Sequence, residues 1–96
     1  MNVLRQIGLN VRRLRLEREL TQEDVAFDAE IAFNYLSGIE RGKRNPSVKV
    51  LFRIAKVLRV PIVDLFAPLP AGYTLPKNLP RGRAAKAKKS SQKRGR

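Results

Sequence analysis

Apolar side chains recur at spacings of three and four over the first two-thirds of the chain, and no stretch alternates apolar with polar residues as a strand would. Leu4, Ile7, Val11 and Leu14 fall at helical spacing and predict a first helix over about residues 3–18. Val25, Ala26 and Ala29 form one face of a short second helix. Thr21 stands at its start with Asp24 three residues on, a weak capping box because Asp is shorter than the usual Glu. A third helix is predicted over about 33–41 with Leu36 and Ile39 inward, and Gly42 stands where a glycine commonly ends a helix. Ser47 caps a fourth, whose stripe is Leu51, Ile54, Ala55 and Leu58. Pro61 fits the first turn of a short fifth helix carrying Ile62, Leu65 and Phe66. The pattern predicts an all-α domain of five short helices.

Beyond Phe66 the composition changes. Residues 67–96 hold four of the six prolines, nine basic side chains and no acidic one, whereas residues 1–66 hold 12 basic and 8 acidic side chains. A tail of that kind lacks the apolar content for a core of its own. A folded unit over 1–66 followed by a disordered basic tail over 67–96 is expected, the unit lying near the lower size limit for a domain without staples.

The net charge of +13 points to an anionic partner: nucleic acid, or less often an anionic membrane surface. The chain has no Cys and no His. That removes disulfides, thiolate metal sites and the commonest general base. No enzyme activity, metal or cofactor is expected, and no small-molecule ligand is evident. No apolar run approaches the roughly 18 residues of a membrane span. Charges interrupt the apolar pattern of the N-terminus, unlike a signal peptide. A cytoplasmic protein is the expectation.

Two charges fall on apolar stripes. Arg15 lies four residues after Val11 and seven after Gly8, and Glu40 lies four after Leu36. A lone buried charge costs several kcal/mol, while a paired one is tolerated. Arg15 and Glu40 either join the first helix to the third through a partly buried salt bridge or sit solvated at the edges of their stripes.

From Gln22 to Arg41, apolar residues at Val25, Ala29, Ile31, Leu36 and Ile39, with small Ala26 near the crossing, have the spacing of two short helices packed at a steep angle through a tight turn. With TQEDVA, YLSGIERGKRNPS and LFRIAKVLRVPIVDLF, this segment resembles the lambda-repressor-like (Cro/cI, or XRE) helix-turn-helix family over about residues 5–66. In size and in the IERGKRNPS segment it resembles restriction–modification controller proteins. The resemblance implies a five-helix fold, binding in the DNA major groove, and homodimers on palindromic operators. It also implies a buried Arg–Glu pair at Arg15 and Glu40.

On that resemblance the third helix reads bases, and Phe33, Asn34, Ser37 and Gly38 match its reading positions. Asn34 has the donor and acceptor that adenine presents in the major groove, and Phe33 suits a thymine methyl. Gly38 brings no side chain to a position often used for reading. Gln22 matches a glutamine that bonds a phosphate. Arg41, Lys43 and Arg44 would grip the backbone. Phe33 has a second reading as a core residue, and Tyr35 either bonds a phosphate or only packs. Phe27, beside inward Ala26, is exposed or at an interface, or else packs on the first helix. Arg12, Arg13 and Arg18 read as a solvated face, and Val60, Ile62, Val63 and Phe66 as core or dimer interface.

Two residues depart from the family pattern. Glu30 stands where the turn usually has Gly, and Ala32 where a capping Ser or Thr is usual. Each costs about 1 kcal/mol and leaves the start of the third helix open. The tail either adds phosphate contacts or is a solvated end. The leading expectation is a sequence-specific DNA-binding transcriptional regulator, a repressor or controller acting as a homodimer on double-stranded DNA. The alternative is an adaptor or antitoxin using the same fold, its tail contacting an acidic partner or RNA.

Overall fold

The computed structural model describes residues 2–69. Four α-helices follow one another, α1 (Val3–Glu17), α2 (Gln22–Ala29), α3 (Phe33–Glu40) and α4 (Val48–Leu58), and a 3-10 helix (Ile62–Phe66) closes the domain. Among the described residues there is no strand. The fifth helix is therefore of the tighter kind. The Pro61 carbonyl accepts from the Asp64 amide at 2.9 Å, and Pro61 and Ala67 are extended on either side, leaving only five residues for the element. The expected basic tail falls, from residue 70 onward, outside the described residues.

Short polar side chains start three of the four α-helices. Asn2 Oδ1 accepts from the Arg5 amide at 3.1 Å, and Ser47 Oγ accepts from the Val50 amide at 3.2 Å. At α2 the capping box closes in both directions: Thr21 Oγ1 accepts from the Asp24 amide and Asp24 Oδ2 from the Thr21 amide, each at 3.0 Å. Asp is long enough here. Only Ala32, before α3, contributes no side-chain cap.

All four helices end alike. The amides of Leu20, Ile31, Lys43 and Val60 reach back to the carbonyls of Arg15, Ala26, Gly38 and Ala55, and the residue before each has positive φ. This is the six-to-one closure that a left-handed residue permits. Gly42 (φ 73°) takes the position freely, but Glu19, Glu30 and Arg59 are non-glycine at φ 56°, 60° and 61°. Glu30 thus adopts the conformation expected of glycine, and the turn keeps its usual form. Relief of about 1 kcal/mol of strain is offset in part by the greater freedom of glycine in the unfolded chain. Glu30→Gly is expected to raise the melting temperature by about 2–4 °C, a net gain near 0.5 kcal/mol. An unchanged or lower melting temperature would count against that strain.

The core joins every element. Ile7, Val11 and Leu14 of α1 meet Val25, Ala26 and Ala29 of α2, Leu36 and Ile39 of α3, Leu51, Ile54, Ala55 and Leu58 of α4, and Leu65. Two amides of α1 fasten the chain after the 3-10 helix. Gln6 Nε2 donates to the carbonyls of Phe66 and Ala67 at 2.8 and 2.9 Å, and buried Asn10 Nδ2 to those of Leu65 and Ala67 at 3.0 and 2.7 Å. Arg53 Nε donates to the Ala29 carbonyl at 2.9 Å, tying α4 to the end of α2 beside the turn that leads into α3.

Candidate nucleic-acid interface

What holds α3 in place is apolar on one side and ionic on the other. Leu36 and Ile39 are fully buried against α1 and α2. On the next turn Glu40 meets Arg15 of α1 in a forked pair, Nε to Oε2 at 2.7 Å and Nη2 to Oε1 at 3.0 Å. Both side chains are at most 4% exposed. Arg15 Nη1 donates to the Leu20 carbonyl at 2.9 Å, and Gln22 Nε2 donates to Glu40 Oε1 at 3.0 Å. One carboxylate thus gathers α1, α2 and α3, and two matched N–H donors give the pair its geometric precision.

The structure turns the Gln22 carboxamide inward onto Glu40, at the N-terminus of α2. Asn34 is exposed and Ser37 half-buried on the outer face of α3. Phe33 is 44% exposed at the first position of α3, which removes its core reading. Tyr35 is half-buried and packs against the core. Gly38 is buried, not open: a Cβ there would meet Arg44 Cγ at 2.7 Å.

The loop after α3 carries Arg41, Lys43 and Arg44, all exposed. Arg41 Nε folds back to the Ser37 carbonyl at 3.3 Å. Arg44 lies over Tyr35, its guanidinium carbon 5.8 Å from the ring centre. A Cβ on Gly42 would lie 3.0 Å from the Arg5 Cα, so the first turn of α1 abuts this loop and exposed Arg5 adds a cation beside it. Sequence spacing gives no sign of Arg5's place, because a contact across 37 residues depends on the α1–α3 crossing.

Elsewhere Arg13 pairs with Glu17 at 3.1 Å and bonds Asn10, while Arg18 reaches Glu17 only at 3.9 Å. Val60 and Ile62 pack on the core, and Phe27 is 78% exposed. Val63 and Phe66 stay exposed, and α4 adds two residues that the spacing argument passed over, Val48 and Phe52. Their signal was legible: they sit four apart and off the buried stripe of α4. Among the described residues no group of acidic side chains is placed to hold a metal ion, and no helix is long and apolar enough to cross a membrane.

A helix-turn-helix family profile matches residues 11–65. An uncharacterized HTH-type transcriptional regulator, y4dJ of Sinorhizobium fredii, is 43% identical over 68 residues, covering 71% of this chain and 88% of the relative. The restriction–modification controller protein C.AhdI from Aeromonas hydrophila superposes with a TM-score of 0.64 at 35% identity, over 66% of this chain and 96% of that one. The controller C.Esp1396I, solved as a tetramer in complex with its natural 35 base-pair operator, superposes with a TM-score of 0.63 at 38% identity. That match covers 69% of this chain and 87% of the controller.

Proposed function

We propose a function from one premise: the chain belongs to the helix-turn-helix family, whose members are DNA-binding regulators of transcription and not enzymes. The protein binds a two-fold symmetric operator as a homodimer, in the cytoplasm. The observation that carries this reading is the exposed face of α3, flanked by three cations on the loop that follows it. Asn34 and Ser37, with Phe33 at the helix start, form the set offered to base edges in the major groove. Arg41, Lys43 and Arg5 take backbone phosphates. Gln22 keeps a second amide hydrogen for a phosphate while its first holds Glu40. The nine basic residues of 67–96 add sequence-independent affinity that falls steeply with salt.

The homodimer rests on Val48 and Phe52 of α4 and Val63 and Phe66 of the 3-10 helix. These are 41–70% exposed and lie on two elements that pack together. Apolar area left in water on adjacent elements favours a self-complementary contact, and a two-fold contact matches a palindrome. Selection of the full chain on random duplexes is expected to yield a symmetric motif with half-sites about 34 Å apart. Sedimentation should then give two chains per duplex, and Phe52→Glu should shift the free protein to monomer. One chain per saturated duplex would end the dimer reading, and the absence of any selected motif would end sequence-specific binding.

A further inference from the structure

We propose that the uncharged segment 70–76 seats Tyr73 and Leu75 in a groove between α1 and the chain that follows the 3-10 helix, and so delivers the cations from Lys77 onward to the edge of the domain that carries Arg5. The delivery rests on the reading that the tail and Arg5 take phosphates; the seating does not.

The chain leaves the 3-10 helix along α1. Asn10 holds the carbonyls of Leu65 and Ala67, and Gln6, about one turn earlier on α1, holds those of Phe66 and Ala67. Pro68 and Leu69 then stand with Asn2, Arg5, Gln6 and Leu9 around an open groove of about 280 Å³. The chain thus runs toward the start of α1, with Ala67 extended at φ −69° and ψ 147°. Half-buried Leu69 is the last described residue, so the groove lies beside the point from which the next residues depart.

Those residues suit it. Residues 67–76 read APLPAGYTLP and carry no charge, and the nine cations of the tail begin only at Lys77. Phosphate contact alone makes no use of an uncharged stretch holding two leucines and a tyrosine. Pro70 and Pro76 bias the residues before them to extended backbone and disfavour a helix, so the segment suits a strap. In an extended strap Tyr73 and Leu75 share a face. Seven extended residues reach about 23–25 Å, and the stretch of α1 from Asn2 to Leu9 spans only about 10 Å.

The position of the groove gives the strap its consequence. Arg5 lines it and also abuts the loop after α3, since a Cβ on Gly42 would stand 3.0 Å from the Arg5 Cα. A seated strap starts the basic run on the same edge as Arg5 and the loop of Arg41 and Lys43. Holding it there beforehand reduces the freedom lost when the cations bind.

The chain has no cysteine, so Thr74→Cys gives the full-length protein one attachment point for a nitroxide spin label. In the DNA-free protein the label should broaden the backbone amide signals of Asn2, Arg5, Gln6 and Leu9 most, with the effect fading along α1 toward Glu17. Adding Tyr73→Ser and Leu75→Ser should abolish that gradient. Even broadening along α1, or a gradient that survives the two serines, overturns the strap. Broadening passed to an isotope-labelled wild-type chain mixed with the spin-labelled one would seat the segment on a second copy and overturn it too. Without the label, the two-serine chain keeps every cation. Its affinity for random duplex at low salt should fall about threefold or more with the salt slope unchanged. Equal affinity would overturn the delivery. Lys86→Gln, Lys88→Gln and Lys89→Gln together should make the salt slope shallower by about three. An unchanged slope there sinks the reading of the tail as a phosphate contact, while the gradient along α1 still decides the strap.

Discussion

Glu40→Ala is expected to cost about 3–5 kcal/mol. A domain of this size commonly has only about 3–10 kcal/mol of stability in total, so the variant should be largely unfolded at the temperature where the wild type works. The loss has a specific origin. Glu40 is 2% exposed, and removing it strands the Arg15 guanidinium, 4% exposed, with one carbonyl as its remaining partner. The Gln22 amide loses its acceptor as well. The cost is therefore that of an uncompensated buried cation and is larger than the net worth of the pair. A variant that removes both charges and refills the space, Arg15→Met with Glu40→Leu, should recover most of the loss, because apolar replacements of buried pairs are often neutral. Denaturant melts of both single variants and of the alanine double variant give the coupling energy. A value near zero would mean that the two side chains stabilise the fold independently. The consequence runs through α3: with Glu40 gone, no salt bridge among the described residues joins α3 to α1.

The helices were legible because their signals are local. Periodicity placed every buried residue of α4, and Thr21, Ser47 and Gly42 marked ends that depend only on residues three or four away. The fifth helix was placed correctly but its type was missed, since five residues carry no periodicity that separates a 3-10 from an α-helix. Asn10 was missed for a different reason. It looks like a surface residue on an amphipathic helix, yet it is fully buried because the chain after Leu65 returns to lie on it. The Arg15–Glu40 pairing was suggested by two charges on two stripes, and its forked geometry emerges only when the helices cross. The candidate interface followed the same division. The motif placed Asn34 on an exposed face of α3 and the cations on an exposed loop after it. The route of Arg44 over Gly38 could not be read from it, because a missing side chain gives no sequence signal of what occupies its space.

The second large effect is expected at Gly8, and it separates two glycines that look alike in the sequence. Both lie inside helices, where replacing glycine by alanine ordinarily gains about 0.5–1 kcal/mol. At Gly38 the neighbour is a flexible arginine stem, so that gain should survive. At Gly8 the neighbour is backbone. A methyl group there would stand 2.6 Å from the Glu40 carbonyl oxygen and nearer still to that of Ile39. Neither oxygen belongs to a side chain that can rotate away, so α1 and α3 must separate. Overpacking of this kind costs about 1–3 kcal/mol where side chains can adjust, and the upper end applies where only backbone can move. The separation also stretches the fork between Arg15 and Glu40, which lies on the same face of α1, seven residues or about two turns from Gly8. Gly8→Ala should therefore be less stable by about 2–3 kcal/mol net of its helix gain, a fall of roughly 10–20 °C in melting temperature. The fraction still folded should bind the selected operator more weakly than wild type, because α3, the helix proposed to read it, no longer rests on α1. Parallel thermal melts of Gly8→Ala and Gly38→Ala decide the matter. If the two shift in the same direction, the close approach of α1 to α3 does not set the position of α3.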